Sequence, residues 1–187
     1  MYDTSEFKKG LRIELDGHPY IMTENQFVKP GKGQAFNRVK VKSLLNGNVI
    51  ERTFKSGEKV SKADVVDVTM QYLYMADGVY HFMDKKTYEQ IEVKKEQLGD
   101  TWKWLEEESE VSIVLYKQQP VSVTLPNFSN LKITFCEPGV KGDTATGATK
   151  PATLSTGAII QVPLFVNEGE IIKVDTRTGE YTERVKE

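Results

Sequence analysis

Arg38-Val39-Lys40-Val41-Lys42 alternates cation and valine without a break. A period of two places the valines on one face of a β-strand and the cations on the other; a helix would scatter both around its surface. A core must therefore lie on one side of this strand and a basic surface on the other. The neighbouring sequence is built the same way. Leu11-Arg12-Ile13-Glu14-Leu15 alternates, Asp16-Gly17 is a hairpin signal, and Pro19-Tyr20-Ile21-Met22 returns. Asn46-Gly47 reads as a two-residue turn from the basic strand into a strand at 49–54. The first third is thus expected to form a small, curled antiparallel sheet.

Beyond a polar boundary at 56–62, strand-length runs at 65–74, 79–83 and 88–93 are separated by Ala76-Asp77-Gly78 and Asp84-Lys85-Lys86. Residues 100–108 form the best helix candidate, with Asp100 as N-cap and glutamates at the unfavourable C-terminal end. Strands at 111–116 and 121–125 follow. Strands, one short helix and strands again fit a five-stranded OB barrel. Pro126-Asn127-Phe128 reads as a second linker. The last third offers strands at 131–136, 158–162, 164–166, 171–175 and 181–185, with a Gly/Thr/Ala-rich loop at 138–156, and reads as another barrel-like unit. Three domains are expected, at 1–63, 64–126 and 127–187. Gly-Asp-Thr occurs at 99–101 and 142–144, too short a match to establish a repeat.

Charge divides the chain unevenly. Residues 1–63 carry 12 Lys/Arg against 7 Asp/Glu, residues 64–126 carry 6 against 12, and residues 127–187 carry 7 against 8. A localised basic face on an otherwise acidic chain points to directional docking on a polyanion. Within the basic third, Lys29-Pro30-Gly31-Lys32-Gly33-Gln34-Ala35-Phe36 isolates one long cation between two glycines. Pro30-Gly31 has the form of a type II turn. The nearest acidic residues in sequence are Glu24 and Glu51, so Lys32 has no local partner. A lysine in a turn is ordinarily a solvated charge; the surrounding charge and the shape of this loop argue for more.

Much chemistry is excluded. The two histidines, His18 and His81, are far apart and lack metal-ligand neighbours, so no metal site is expected. The sole cysteine, Cys136, excludes an intrachain disulfide and reads as a small buried hydrophobe. Phosphate-binding, dinucleotide, zinc-protease and nucleophile-elbow motifs are missing. A Schiff-base lysine needs desolvation, which a glycine-flanked loop tip denies to Lys32. No catalytic residue is expected, and the chain is not read as an enzyme. Residues 1–7 lack a charged leader followed by an apolar core, and no apolar run would span a bilayer, so a cytoplasmic protein without a membrane partner is expected.

Several longer segments carry a resemblance. Phe27-Val28-Lys29-Pro30-Gly31-Lys32-Gly33-Gln34-Ala35-Phe36, Arg52-Thr53-Phe54-Lys55-Ser56, Lys141-Gly142-Asp143-Thr144, 150–158, Val162-Pro163-Leu164-Phe165-Val166 and the tail from Gly169 to Tyr181 all resemble bacterial elongation factor P, in order and across nearly the whole chain. The resemblance implies an all-β fold of three β-barrel domains, an N-terminal SH3-like (KOW-like) domain and two OB domains, in an elongated, tRNA-like shape. It implies a factor that binds both ribosomal subunits between the peptidyl and exit sites, positions peptidyl-tRNA and relieves stalling at consecutive prolines by promoting peptide-bond formation.

The resemblance places Lys32 near the acceptor end of the peptidyl-tRNA; beside it, Arg38, Lys40 and Lys42 are expected to hold acceptor-arm phosphates and Gly31 and Gly33 to let the backbone pass close to RNA, with Lys29 counted among the tRNA-binding residues. By the same resemblance, Tyr181 and Arg184 approach the tRNA anticodon stem, and Gly142, Asp143 and Thr144 lie near the exit-site codon. Lys32 is the position that a dedicated enzyme extends. The Pro-Gly-Lys-Gly-Gln-Ala-Phe form is similar to the β-lysine branch; lysine disfavours the rhamnose branch and leaves the aminopentanol branch and an unmodified protein open. No cofactor is implied, and a monomer is expected. Two alternatives stand beside this reading. One is an elongation-factor-P-like paralogue. The other is a generic RNA-binding β-barrel, which would interleave exposed aromatics with basic residues where this strand interleaves valines.

Overall fold

The computed structural model describes residues 1–139 and 147–186. Their regular structure is almost entirely β, in three antiparallel sheets. The first contains β1 (Tyr2–Asp3), β2 (Arg12–Leu15), β3 (His18–Val28), β4 (Phe36–Ser43), β5 (Val49–Lys55) and β6 (Lys59–Lys62), in the order β1-β6-β2-β3-β4-β5. The second contains β7 (Val65–Ala76), β8 (Val79–Met83), β9 (Gln90–Lys94), β10 (Glu110–Tyr116) and β11 (Gln119–Thr124), in the order β11-β10-β7-β8-β9. The third contains β12 (Phe128–Cys136), β13 (Thr149–Leu154), β14 (Ile159–Pro163), β15 (Ile171–Asp175) and β16 (Glu180–Arg184), in the order β14-β13-β12-β15-β16. The all-β, barrel-like architecture expected from the sequence is the one observed.

The alternation in β4 does what its pattern dictates. Val39 and Val41 are fully buried, and Arg38, Lys40 and Lys42 are exposed. The valines join Phe7, Leu11, Ile13, Met22 and Val60 in the first core. Asp16-Gly17 makes the expected tight hairpin, with Leu15 opposite His18 and both turn residues at positive φ (51° and 76°). Asn46-Gly47 does not. The connection from β4 to β5 runs from 44 to 48, because the Ser43 hydroxyl accepts from the backbone N–H groups of Leu45 and Asn46 and opens a wider turn.

The helix expected at 100–108 lies elsewhere. A single α-helical turn, α1 (Lys95–Leu98), leads into a 3-10 segment at Gly99–Trp104. Gly99, at φ 56°, breaks the α-geometry, and Asp100 pairs with Lys103 rather than capping. Leu98 and Leu105 are buried, so the segment is held by packing. The chain leaves helical geometry before Glu106-Glu107-Glu108, whose charges would oppose a helix C-terminus. In the last third, part of the expected 138–156 loop is strand β13. Lys150, Ala152 and Leu154 point inward. Lys150 disguised the pattern: it is buried, with Nζ donating to the Glu137 carbonyl at 2.7 Å. Cys136 is buried, as expected. Among the described residues no helix is long and apolar enough to cross a membrane.

Two compact units divide the chain, Met1–Asp67 with Val114–Ser122, and Val68–Ile113 with Val123–Glu187. In the first, the Tyr116 hydroxyl donates to Glu14 Oε2 at 2.8 Å and lies 3.1 Å from the Gly17 carbonyl. The Tyr116 hydrogen bond, then Lys117, holds the Glu14 carboxyl below the usual carboxylate range. Arg12 grips Asp67 through two hydrogen bonds of 2.7 and 3.0 Å. In the second unit, the Thr156 hydroxyl donates to the Lys103 carbonyl at 2.7 Å, and Gly179 faces Trp104.

Gly179 has φ 76°, and a Cβ built there would sit 2.8 Å from Trp104 Cζ2. Both backbone strain and a ring clash follow from any side chain at this position. Gly179→Ala is expected to cost more than about 1 kcal/mol and to shift tryptophan emission. Thermal unfolding with a fluorescence readout checks this; an unchanged melting temperature would contradict it.

Candidate nucleic-acid interface

The Lys32 loop joins β3 to β4. Val28 pairs with Phe36, so seven residues, 29–35, project beyond the last rung of the ladder. Lys29, Gly31, Lys32 and Gly33 are all exposed. Lys32 makes no hydrogen bond or ion pair among the described residues. The expected type II turn is absent: that turn needs positive φ at Gly31, whereas the left-handed residue is Gly33, at φ 111°. A side chain at Gly33 would therefore be strained even though its nearest neighbour, Pro30 Cγ, is 3.8 Å from the built Cβ. The chain bends through Gly31, Lys32 and Gly33, with the left-handed residue after the lysine.

The base of the hairpin is fixed. Asn37 is 4% exposed, and its Nδ2 donates to Asn25 Oδ1 at 2.9 Å. Asn25 Nδ2 in turn donates to the Phe7 carbonyl, also at 2.9 Å. On the other edge, Ser56 N donates to the Ala35 carbonyl at 2.9 Å, and Gln34 Nε2 reaches the Ser56 carbonyl at 3.4 Å. Buried amide chains of this kind are costly to break, because each loss leaves an unsatisfied group. The loop is consequently a free tip on a fastened stem. Sequence reasoning missed the asparagine pair; the one available signal was Asn37 occupying an inward position, two before Val39, in an alternating strand.

The basic face of β4 is not bare. Lys40 Nζ lies 2.7 Å from Glu24 Oε2, across the β3–β4 ladder, and Arg38 Nε lies 3.7 Å from Glu51. Lys42 is exposed and has no ion-pair partner among the described residues. The Glu24 hydrogen bond, followed by the charges of Glu24 and Glu51, raises the Lys40 pKa above its ordinary 10.5. These pairs are solvent-exposed and weak, so phosphates can compete for the cations. The stem also presents Phe27, 59% exposed, two residues before Lys29. It gives the hairpin an aromatic surface that the strand pattern did not reveal.

The remaining expected contacts lie in the other compact unit. Tyr181 is half-buried and packs on the core of the third sheet. Arg184 pairs with Glu170 at 3.2 Å and sits 4.9 Å from the centre of the Phe165 ring. Gly142, Asp143 and Thr144 fall outside the described residues. Lys29, Gly31, Lys32, Gly33, Arg38, Lys40 and Lys42 are brought together on one hairpin. No group of metal-ligating side chains occurs among the described residues.

The described residues thus form a small β-domain carrying a lysine-tipped basic hairpin, followed by two five-stranded antiparallel sheets. Residues 3–60 match the elongation factor P KOW-like domain, residues 65–123 its OB domain, and residues 130–184 its C-terminal domain. The chain belongs to the elongation factor P family: it is a translation elongation factor and not an enzyme. Among solved structures it is similar to eukaryotic translation initiation factor 5A from Methanococcus jannaschii, at 25% identity over 66% of this chain and 93% of that one, with a TM-score of 0.54. It shares its fold with a translation initiation factor 5A family protein from Naegleria fowleri, at 17% identity over 66% of this chain and 96% of that one, also with a TM-score of 0.54.

The Lys40 shift has a definite sign. A lysine whose pKa is raised on folding contributes stability that is fully present below the unfolded value of 10.5 and is lost as pH climbs through the raised folded value. Glu24→Gln removes the main cause of the shift. The Lys40 ammonium is then expected to titrate at lower pH than in the unmodified chain, and binding to an RNA acceptor-stem duplex to tighten as one cation is released to phosphate. Side-chain nitrogen NMR and a salt-controlled binding titration check this; unchanged titration and unchanged affinity would contradict it.

Proposed function

We propose that this elongation factor acts on the ribosome between the peptidyl and exit sites, where it positions peptidyl-tRNA and stimulates peptide-bond formation at consecutive prolines. The observation that carries the reading is Lys32: an exposed cation, without a partner among the described residues, on a loop whose stem is fastened at Asn25, Asn37 and Ser56. Such a tip can reach a reacting centre without donating a group to the chemistry. Proline is a constrained nucleophile, and a loosely held peptidyl-tRNA adds an orientational penalty. Orientation in ideal cases is worth about 7–11 kcal/mol, so even a fraction of it matters on a stalled ribosome.

The other residues have positioning roles in this proposal. Arg38, Lys40 and Lys42 hold acceptor-arm phosphates, which supply affinity and register without reading sequence. Lys29 extends the same charge toward the tip. Gly31 and Gly33 keep the backbone slim beside RNA. Phe27 offers a ring on which an unstacked base can lie. Tyr181 and Arg184 face the anticodon stem, and Gly142, Asp143 and Thr144 face the exit-site codon. Lys32 itself is extended by a lysine-modifying enzyme, with a β-lysine type group favoured by the loop sequence. The factor works as a monomer in the cytoplasm.

Lys32→Ala is expected to retain fold and ribosome binding while losing at least tenfold in peptide-bond formation on a proline-run message, about 1.4 kcal/mol of barrier. The intact mass of the chain purified from its own host should show one added lysine residue on Lys32 and none on the variant. Normal proline-run synthesis by Lys32→Ala would overturn the functional reading. A different adduct, or none, would overturn only the β-lysine assignment.

A further inference from the structure

The second compact unit holds a cavity of 580 Å³ that the translation role does not use. Its walls include Tyr72, Tyr80 and Trp102, and its rim includes Glu106, Glu107 and Glu108. Tyr72 and Tyr80 are only 5% and 6% exposed, yet neither hydroxyl has a hydrogen-bond partner among the described residues. A phenol this deeply placed normally finds a partner within the protein. Here both open into the cavity instead. The three glutamates are equally unmatched: none forms an ion pair among the described residues, whereas nearby Glu110 is paired with Lys85 at 2.7 Å.

We infer that this cavity binds an organic cation, an alkylammonium group on an aliphatic stem, with Glu106 and Glu107 as counter-charges, the Tyr72 and Tyr80 hydroxyls as acceptors and the rings as walls. The Trp102 ring already receives one ammonium, with Lys95 Nζ 4.1 Å from its centre. The environment is one a cation would relieve. Burial pushes the Glu106 carboxyl up, and burial, then Tyr80, then the Glu107 charge push the Tyr72 hydroxyl to about 12. Anions are excluded by the rim. A hard divalent metal is a poor fit, because such ions want six or more oxygens and these walls are aromatic. The size falls within the range of small-ligand sites, and the net negative middle third of the chain draws cations toward it.

The same ammonium chemistry can come from a free polyamine or from a lysine side chain of a partner protein, and two titration arms separate them. Tryptophan emission of the full chain is followed at constant ionic strength against spermidine in one arm and, in the other, a lysine-rich peptide acetylated only at its N-terminus, its side-chain ammonium groups free. Saturable binding is expected in at least one arm. Glu106→Gln should weaken it by about tenfold and Tyr72→Phe severalfold, while Glu180→Gln, on β16 and outside the cavity, leaves it unchanged. Far-UV circular dichroism establishes that each variant is folded. Tighter binding of spermidine assigns a free polyamine; tighter binding of the peptide assigns a partner's lysine. Absence of saturation in both arms, or Glu106→Gln binding as tightly as the parent chain, would overturn the inference.

Discussion

Burial of Val39 and Val41 is the constraint on which the rest of the first domain depends. Both are fully excluded from solvent, and a one-residue slip of β4 would exchange them for Arg38, Lys40 and Lys42. The core therefore selects one register, and that register points the cations outward and aligns the hairpin that ends in Lys32. Asn37 extends the inward row and ties it through Asn25 to Phe7. Hydrophobic burial and a partly buried amide chain thus fix the stem, while the cation of the loop beyond Val28 and Phe36 has no partner among the described residues. A single strand thus carries both: one face makes the core, and the other presents the cations of the proposed interface.

Electrostatics along that face are graded. Arg38 and Lys40 are shared with Glu51 and Glu24, whereas Lys42 and Lys32 carry their charge unshared among the described residues. Exposed pairs are weak enough for phosphate to displace, yet they keep the free hairpin from clinging to any polyanion. The acidic middle of the chain opposes the same nonspecific adhesion. Its carboxylates at Glu106 and Glu107, beside the Tyr72 and Tyr80 rings that line the same cavity, offer a cation better partners than they offer RNA.

What the sequence made legible was what alternation and turn chemistry encode. The β4 pattern, the Asp16-Gly17 hairpin and the all-β class could be read because period-two burial and positive-φ turns leave direct marks. What stayed hidden depended on partners distant in sequence. Lys150 sits at an inward position because the Glu137 carbonyl receives its ammonium, so β13 looked like loop. The helix expected at 100–108 gave way to a 3-10 segment because Gly99 and the packing of Leu98 and Leu105 outweighed a nominal cap. In the loop, Pro30-Gly31 carried the local turn signal, but the left-handed bend fell to Gly33. The cluster around Lys32 could be seen in the sequence as charge; its fastened stem and its ion pairs could not.

The central claim is that the Lys32 tip reaches the acceptor end of peptidyl-tRNA. The direct test is a photoreactive lysine analogue at position 32, added to ribosomes stalled on a proline run and illuminated, with the attached nucleotide mapped. Attachment to the 3′-terminal nucleotides of peptidyl-tRNA is the expected result. Attachment only to messenger RNA or to ribosomal RNA remote from the peptidyl-transferase site would contradict it.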